Sequence, residues 1–295
     1  MTLSRTAVIA RLVLGLAVLA VLVAATLPGV ASEAVALFRT GVAALRGVGH
    51  GLLTVEDGFV TAMAVTAVTV PLPALVAAAG RGSSAVTGWR ASAWAAVACV
   101  LVVSIRAAQG GTPGRTWASG IVACAVGVLL GALVLAALRT RAVAPTPRSR
   151  RLATTLLVLY GLGVLVVGYW GSPVDAGAHP VILRVLDLVH RVGVPAWFGY
   201  GALEFSANVL FFVPLGLLVV LRLGTRAWWV GCVAGLVVSS AIEIGQALFL
   251  PARFASFDDV LANTSGAVIG ALLGVVVLGV VAMGTTKPRR SAAGR

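Results

Sequence analysis

The chain has 295 residues, 60% hydrophobic and 11% charged, with a mean hydropathy of +1.05. An ordinary soluble domain carries about 25% charged residues, so this chain cannot cover a water-facing surface; a soluble enzyme, a secreted disulfide scaffold and a disordered chain are excluded. The net charge of +13 does not point to nucleic acid either. The arginines sit at the ends of apolar runs with no interleaved aromatic or polar surface, a pattern that sets membrane orientation rather than a nucleic-acid footprint.

Apolar stretches long enough to cross a bilayer recur in chain order at 7–28, 59–80, 91–108, 117–138, 152–170, 205–222, 227–250 and 260–282. The composition and these runs predict an all-α, polytopic bundle of about eight transmembrane helices. Arg81-Gly82-Ser83-Ser84 separates the second run from the third, and Gln109 to Gly114 the third from the fourth. Ala144-Pro145-Thr146-Pro147 divides the chain in half. The expected organisation is an N-terminal four-helix membrane region (1–144), a basic linker (145–151), a second four-helix membrane region (152–282) and a basic tail (283–295). With the N-terminus inside, fifteen of the 22 basic residues fall on the inner side, and eight of the nine acids fall outside. The positive-inside rule therefore places both termini in the cytoplasm. The first run also fits a signal peptide, although Gly29-Val30-Ala31 is a poor cleavage site.

Cys99, Cys124 and Cys232 lie singly inside apolar runs without metal or redox spacing. Asp187 and His190 stand three apart on a short amphipathic helix expected over 180–192. With three histidines in the chain and no third ligand at fixed spacing, no metal and no cofactor are expected.

Most spans contain little besides Ala, Val, Leu and Gly, but the last three carry polar residues at one depth. Glu204 opens the sixth span, with Asn208 four residues on, on the same helix face. Glu243 lies eight residues before Pro251, about 12 Å below the outer end of its helix, and Gln246 shares its face. Arg253 occupies the short outer turn. Asp258 and Asp259 open the eighth span, followed by Asn263. An ionisable side chain inside a span is expensive and marks a functional site by default. The competing reading is a structural ion pair, Glu243 with Arg253, with the asparagines tying helices together. Gly231, Gly235 and Ser239 continue the face of Glu243, and Gly266 and Gly270 that of Asp259 and Asn263. Such small residues let membrane helices approach closely. Pro214 interrupts the hydrogen-bond ladder of the sixth span.

The run Asn208 to Gly216, with Phe212 and Pro214 inside it, resembles the N-x-x-x-F-x-P-x-G motif of the VanZ-like family. Glu243-Ile244-Gly245-Gln246 is similar to that family's E-x-x-Q. Arg253, Asp258-Asp259, Asn263-Thr264 and Gly266 are similar to its R…DD-x-x-x-NT-x-G. The resemblance covers about residues 152–282 and leaves the first four spans unexplained. Ser256 stands where many members carry an acid. The resemblance implies a multi-pass bacterial plasma-membrane protein, similar to one linked to low-level teicoplanin resistance.

Three functions remain open at this point. One is a non-enzymatic protein whose outward-facing pocket (Glu204, Asn208, Glu243, Gln246, Arg253, Asp258, Asp259, Asn263) binds membrane lipids, a lipid-linked cell-wall precursor or a glycopeptide. Another is an enzyme acting on an envelope lipid, with Glu243 as general acid or base. The third is a lipid flippase or transporter, which needs a polar path that the spans scarcely offer.

Overall fold

The computed structural model describes residues 57–79, 90–98, 113–170, 179–250 and 256–285, with further positions at 13, 36–37, 40–44, 100 and 177. Its helices are α1 (Asp57–Thr69), α2 (Leu72–Ala79), α3 (Pro113–Arg139), α4 (Pro147–Gly168), α5 (His179–Arg191), α6 (Tyr200–Leu223), α7 (Trp228–Phe249) and α8 (Phe257–Thr285), with a 3-10 turn, Thr225–Ala227, before α7. No strand occurs among the described residues. Six helical segments are long and apolar enough to cross a membrane: Phe59–Ala78, Gly120–Arg139, Pro147–Gly168, Tyr200–Leu223, Thr225–Phe249 and Phe257–Gly284. They coincide with six of the eight expected spans, and the chain is a polytopic helical membrane protein. All of the expected span 7–28 except residue 13, and half of 91–108, lie outside the described residues, as do Cys99, Arg253, both termini and most of the basic tail.

By contact the chain forms two compact units. The first is Met1–Ala136 with Ser172–Ala207 and Ala255–Asp258; the second is Ala137–Gly171 with Asn208–Phe254 and Asp259–Arg295. Residues 172–207 thus group with the early helices, a division that the proline-rich linker alone does not announce.

Within the first unit, the expected span 59–80 is two helices. The chain turns at Val70-Pro71, and both Pro71 and Pro73 contribute to the break by lacking an N–H to continue the ladder. α3 accommodates it with glycines. Gly127 lies against Thr66 and Thr69, and Gly131 against the Val70 carbonyl and the Pro73 ring, where a side chain would collide. The Thr66 hydroxyl donates to the Ala123 carbonyl at 3.0 Å, and that of Thr69 to the Thr66 carbonyl at 2.9 Å. Small side chains fill the interface: Ala95, Cys124 and Val128 pack with Val65 and Leu72.

α5 is the short amphipathic helix expected over 180–192. Leu186 is buried, while Val181, Val185, Leu188 and Val192 form an exposed stripe at helical spacing. Asp187 pairs with Arg191 one turn away. His190 contacts the Phe198 carbonyl at 3.1 Å, and His179 stacks edge-on against Tyr200. These three residues are occupied locally.

In the second unit, α4 starts at Pro147 with Thr146 as its cap, so Arg148, Arg150 and Arg151 belong to its first turns. The preceding segment is tied to the α6–α7 turn through buried Thr225. The Thr225 N–H donates to the Val143 carbonyl at 3.1 Å, and its hydroxyl accepts from the Val143 N–H at 2.8 Å. Gly224, at φ 97°, supplies the left-handed residue that ends α6. α6 runs unbroken through Pro214, and the Tyr160 hydroxyl of α4 donates at 2.6 Å to the Phe211 carbonyl in the turn that the proline loosens.

The three last helices meet along small residues. Gly266 abuts the Val209 carbonyl, Gly270 that of Val213, and Gly274 the Val220 side chain, so one face of α8 lies against α6. Gly216 of α6 abuts Ala267, while Gly231 and Gly235 of α7 abut Ala271 and Ala267. Phe212, Leu215, Val219, Ile242 and Val164 fill one part of the core, and Val220, Ala271, Val275 and Leu278 another.

Candidate functional site

Every buried residue of α7 falls on one stripe: Gly231, Gly235, Ser239, Ile242, Glu243, Gly245 and Gln246. The first two permit close packing. Towards the C-terminal end the stripe turns polar, and the adjoining end of α8 is polar as well. Together with α6 and the end of α4, these segments build one layer of side chains inside the second unit.

Its links run helix to helix. Asn208 Nδ2 of α6 donates to Asp259 Oδ1 of α8 at 2.6 Å. Asn263 Nδ2 of α8 donates to Ser239 Oγ of α7 at 2.9 Å. Gln246 Nε2 of α7 donates to the Gly168 carbonyl that ends α4 at 2.7 Å, and the Tyr169 hydroxyl donates to the Ala241 carbonyl at 3.2 Å. Tyr169 lies in the notch left by Gly245. Glu243 sits on the same stripe, one turn beyond Ser239 and one before Gln246, and is 7% exposed.

Two atoms in this layer have no hydrogen-bond partner: Asn263 Oδ1 and Thr264 Oγ1. A buried polar atom left unpaired costs about 1–3 kcal/mol, and each such atom in a native fold calls for an explanation. Adjacent residues of one helix turn thus leave an acceptor and a hydroxyl available to a polar ligand.

The residues singled out from the sequence do not all join this layer in one way. Asn208 meets Asp259, and Asn263 meets Ser239. Gln246 is directed to a backbone carbonyl. Asp258 is buried at the start of α8, and Glu204 is exposed near the start of α6; both group with the first unit. Arg253 lies outside the described residues. Asp259 and Asn263, read from spacing as one face, serve two neighbours, because four residues advance a helix by about 40°. Tyr169 and the Gly168 carbonyl were not singled out, since an aromatic at a span end and a backbone oxygen carry no pattern. Thr264 was legible only as part of the Asn-Thr pair. No group of three or more His, Cys, Asp or Glu suited to a metal ion occurs among the described residues.

Residues 157–278 match the VanZ/LLP1 family model. That stretch of the membrane protein is VanZ-like. The matched region begins inside α4 and ends inside α8, so it contains the whole polar layer and the glycine contacts beneath it. No curated protein and no solved structure matches the chain. The VanZ-like region agrees with the extent of the sequence resemblance and stops short of α1–α3.

Proposed function

We propose that the polar end of the VanZ-like bundle faces outward across a bacterial plasma membrane and binds the head group of a cell-envelope lipid or of a teicoplanin-type glycopeptide, lowering susceptibility to that antibiotic. The observation that carries this reading is the pair of unpartnered atoms, Asn263 Oδ1 and Thr264 Oγ1, in the same layer as the buried carboxylate of Glu243. Packing alone does not account for them. Polar links between membrane helices contribute about 0.6 kcal/mol each, less than one orphaned atom costs. A ligand rich in amides and hydroxyls satisfies both atoms. Asn208 and Asp259 supply a further donor–acceptor pair at the same end of the unit. Arg253, in the stretch between α7 and α8, supplies the cation for a phosphate or carboxylate.

The test is teicoplanin susceptibility in a sensitive Gram-positive host, with membrane levels matched by an epitope tag. Wild type is expected to protect, and Glu243→Gln and Asn263→Ala to abolish protection at equal protein levels. If well-expressed wild type gives no protection, the resistance role is withdrawn, and lipids co-purifying with wild type but not with Asn263→Ala become the measure of the pocket. If both variants disappear from the membrane, the layer serves folding and the reading fails.

A further inference from the structure

A second polar feature lies at the other end of the same helices. From Asn208 to Arg222 is fourteen residues of α6, about 21 Å along the axis, and Arg150 and Arg151 stand in the first turns of α4. An open cleft of about 660 Å³ is lined by Arg150, Arg151, Thr154, Thr155, Val158, Leu159 and Arg222.

Three guanidinium groups therefore converge from two helices that are some seventy residues apart in sequence, and no carboxylate lines the cleft. Arg222 is held in place by its Nε–H, which donates to Thr154 Oγ1 at 3.0 Å. Thr154 in turn donates to the Arg150 carbonyl at 2.8 Å, and Thr155 to the Arg151 carbonyl at 3.2 Å. A guanidinium has five donors. Arg222 spends one, leaving its two terminal NH2 groups, while the side chains of Arg150 and Arg151 are exposed and spend none within the described fold. Like charges held together without a counter-charge repel one another, and a dianionic or monoanionic phosphate resolves the repulsion while matching the fork of the guanidinium.

The wall adjoining the arginines is apolar. Val158 and Leu159, 57% and 60% exposed, follow Arg150 along α4 by two turns or more. Trp228 and Trp229, both exposed at the start of α7, fit the aromatic belt at a membrane–water boundary. A charged rim above an exposed hydrocarbon wall is the profile of an amphiphile, not of a soluble anion.

We infer that this cleft is a binding site for an anionic phospholipid, its phosphate held by Arg150, Arg151 and Arg222 and its acyl chain lying along Val158 and Leu159. The site is independent of the polar layer and of any antibiotic role.

Native mass spectrometry of the full chain in neutral detergent tests it, titrating phosphatidylglycerol and phosphatidylcholine separately. Wild type is expected to retain phosphatidylglycerol in preference to phosphatidylcholine. R150Q/R151Q removes two charges whose side chains make no contact needed for folding, and is expected to weaken phosphatidylglycerol binding about 30-fold. R148Q/R226Q removes two exposed arginines outside the cleft and is expected to leave binding unchanged. Glycerol 3-phosphate at equal concentration is expected not to displace the lipid. Equal affinity in R150Q/R151Q and wild type, equal retention of the two lipids, or equal weakening in R148Q/R226Q overturns the site. Displacement by glycerol 3-phosphate overturns the lipid and leaves a site for a soluble phosphate ester.

Discussion

Helices α1–α3 and helices α6–α8 solve the same problem, close packing in an apolar medium, with different side chains. Around α1 and α3 the polar groups are hydroxyls that hydrogen-bond directly to backbone carbonyls: Thr66 to Ala123 and Thr69 to Thr66. Thr69 is the buried polar residue of α1–α3 among those described. Helices α6–α8 bury Ser239, Glu243, Gln246, Asp258 and Asn263, and leave two side-chain atoms unpaired. Hydroxyl-to-carbonyl stitching is sufficient to hold membrane helices together. Carboxylates and amides in excess of that need, in a medium that penalises them, are what the proposed binding role would account for.

The largest expected effect probes what the two regions share. Gly270 lies against the Val213 carbonyl, and Gly131 against the Val70 carbonyl. Gly270→Leu and Gly131→Leu each force two helices apart, with a destabilisation of about 3 kcal/mol or more. Thermal unfolding in detergent, with membrane yield as a second readout, measures it. If either variant unfolds like wild type, the glycine contacts are not what sets helix spacing.

The next effect separates the regions. Asn263→Ala loses the bond to Ser239 but also removes the orphaned Oδ1. With a link of about 0.6 kcal/mol lost and an orphan of about 1–3 kcal/mol relieved, the variant is expected to be no less stable than wild type, with a gain of about 0.4–2.4 kcal/mol. Antibiotic protection is nonetheless expected to vanish, while phosphatidylglycerol retention at the arginine cleft is expected to stay unchanged. Thr66→Val makes the complementary change in the first region. It costs about 0.6 kcal/mol by removing one link and leaves function intact. A functional loss in Thr66→Val equal to that in Asn263→Ala erases the distinction between the two regions.

Much of this was legible in the sequence, for physical reasons. Hydropathy depends on composition alone, so six spans appear where the apolar runs place them. The polar residues of the layer were equally visible, because Glu243 or Asn263 stands out among Ala, Val and Leu. The break at Val70-Pro71 was masked by the apolar residues on both sides of it. Partner choice was hidden as well. Nothing in the sequence directs Gln246 to the Gly168 carbonyl, or divides Asp259 and Asn263 between α6 and α7. Arg150, Arg151 and Arg222 read as orientation signals, and their meeting in one cleft is a property of the tertiary fold.

The smallest expected effect sharpens the comparison from the lipid side. Gly161 and Gly163 of α4 have open space where a side chain would sit, and their neighbours Leu159, Leu162 and Leu165 are more than half exposed. Most of α4 thus faces outward from the unit, and only Ala153 and Val164 are buried. Replacing either glycine with alanine meets no neighbour, so no helix has to move. It also removes the helix-weakening freedom of glycine, which is worth about 0.5–1 kcal/mol in a helix interior. Gly161→Ala and Gly163→Ala are therefore expected to be neutral or slightly stabilising in thermal unfolding, with unchanged lipid retention. Gly168→Ala, seven residues after Gly161, brings a Cβ to 3.2 Å from the Ile242 side chain, in the turn whose carbonyl accepts from Gln246. Its cost is expected to exceed that of either neighbour. If all three alanines behave alike, α4 is held no more firmly at its polar end than along its exposed length, and the Gln246 bond does not anchor it.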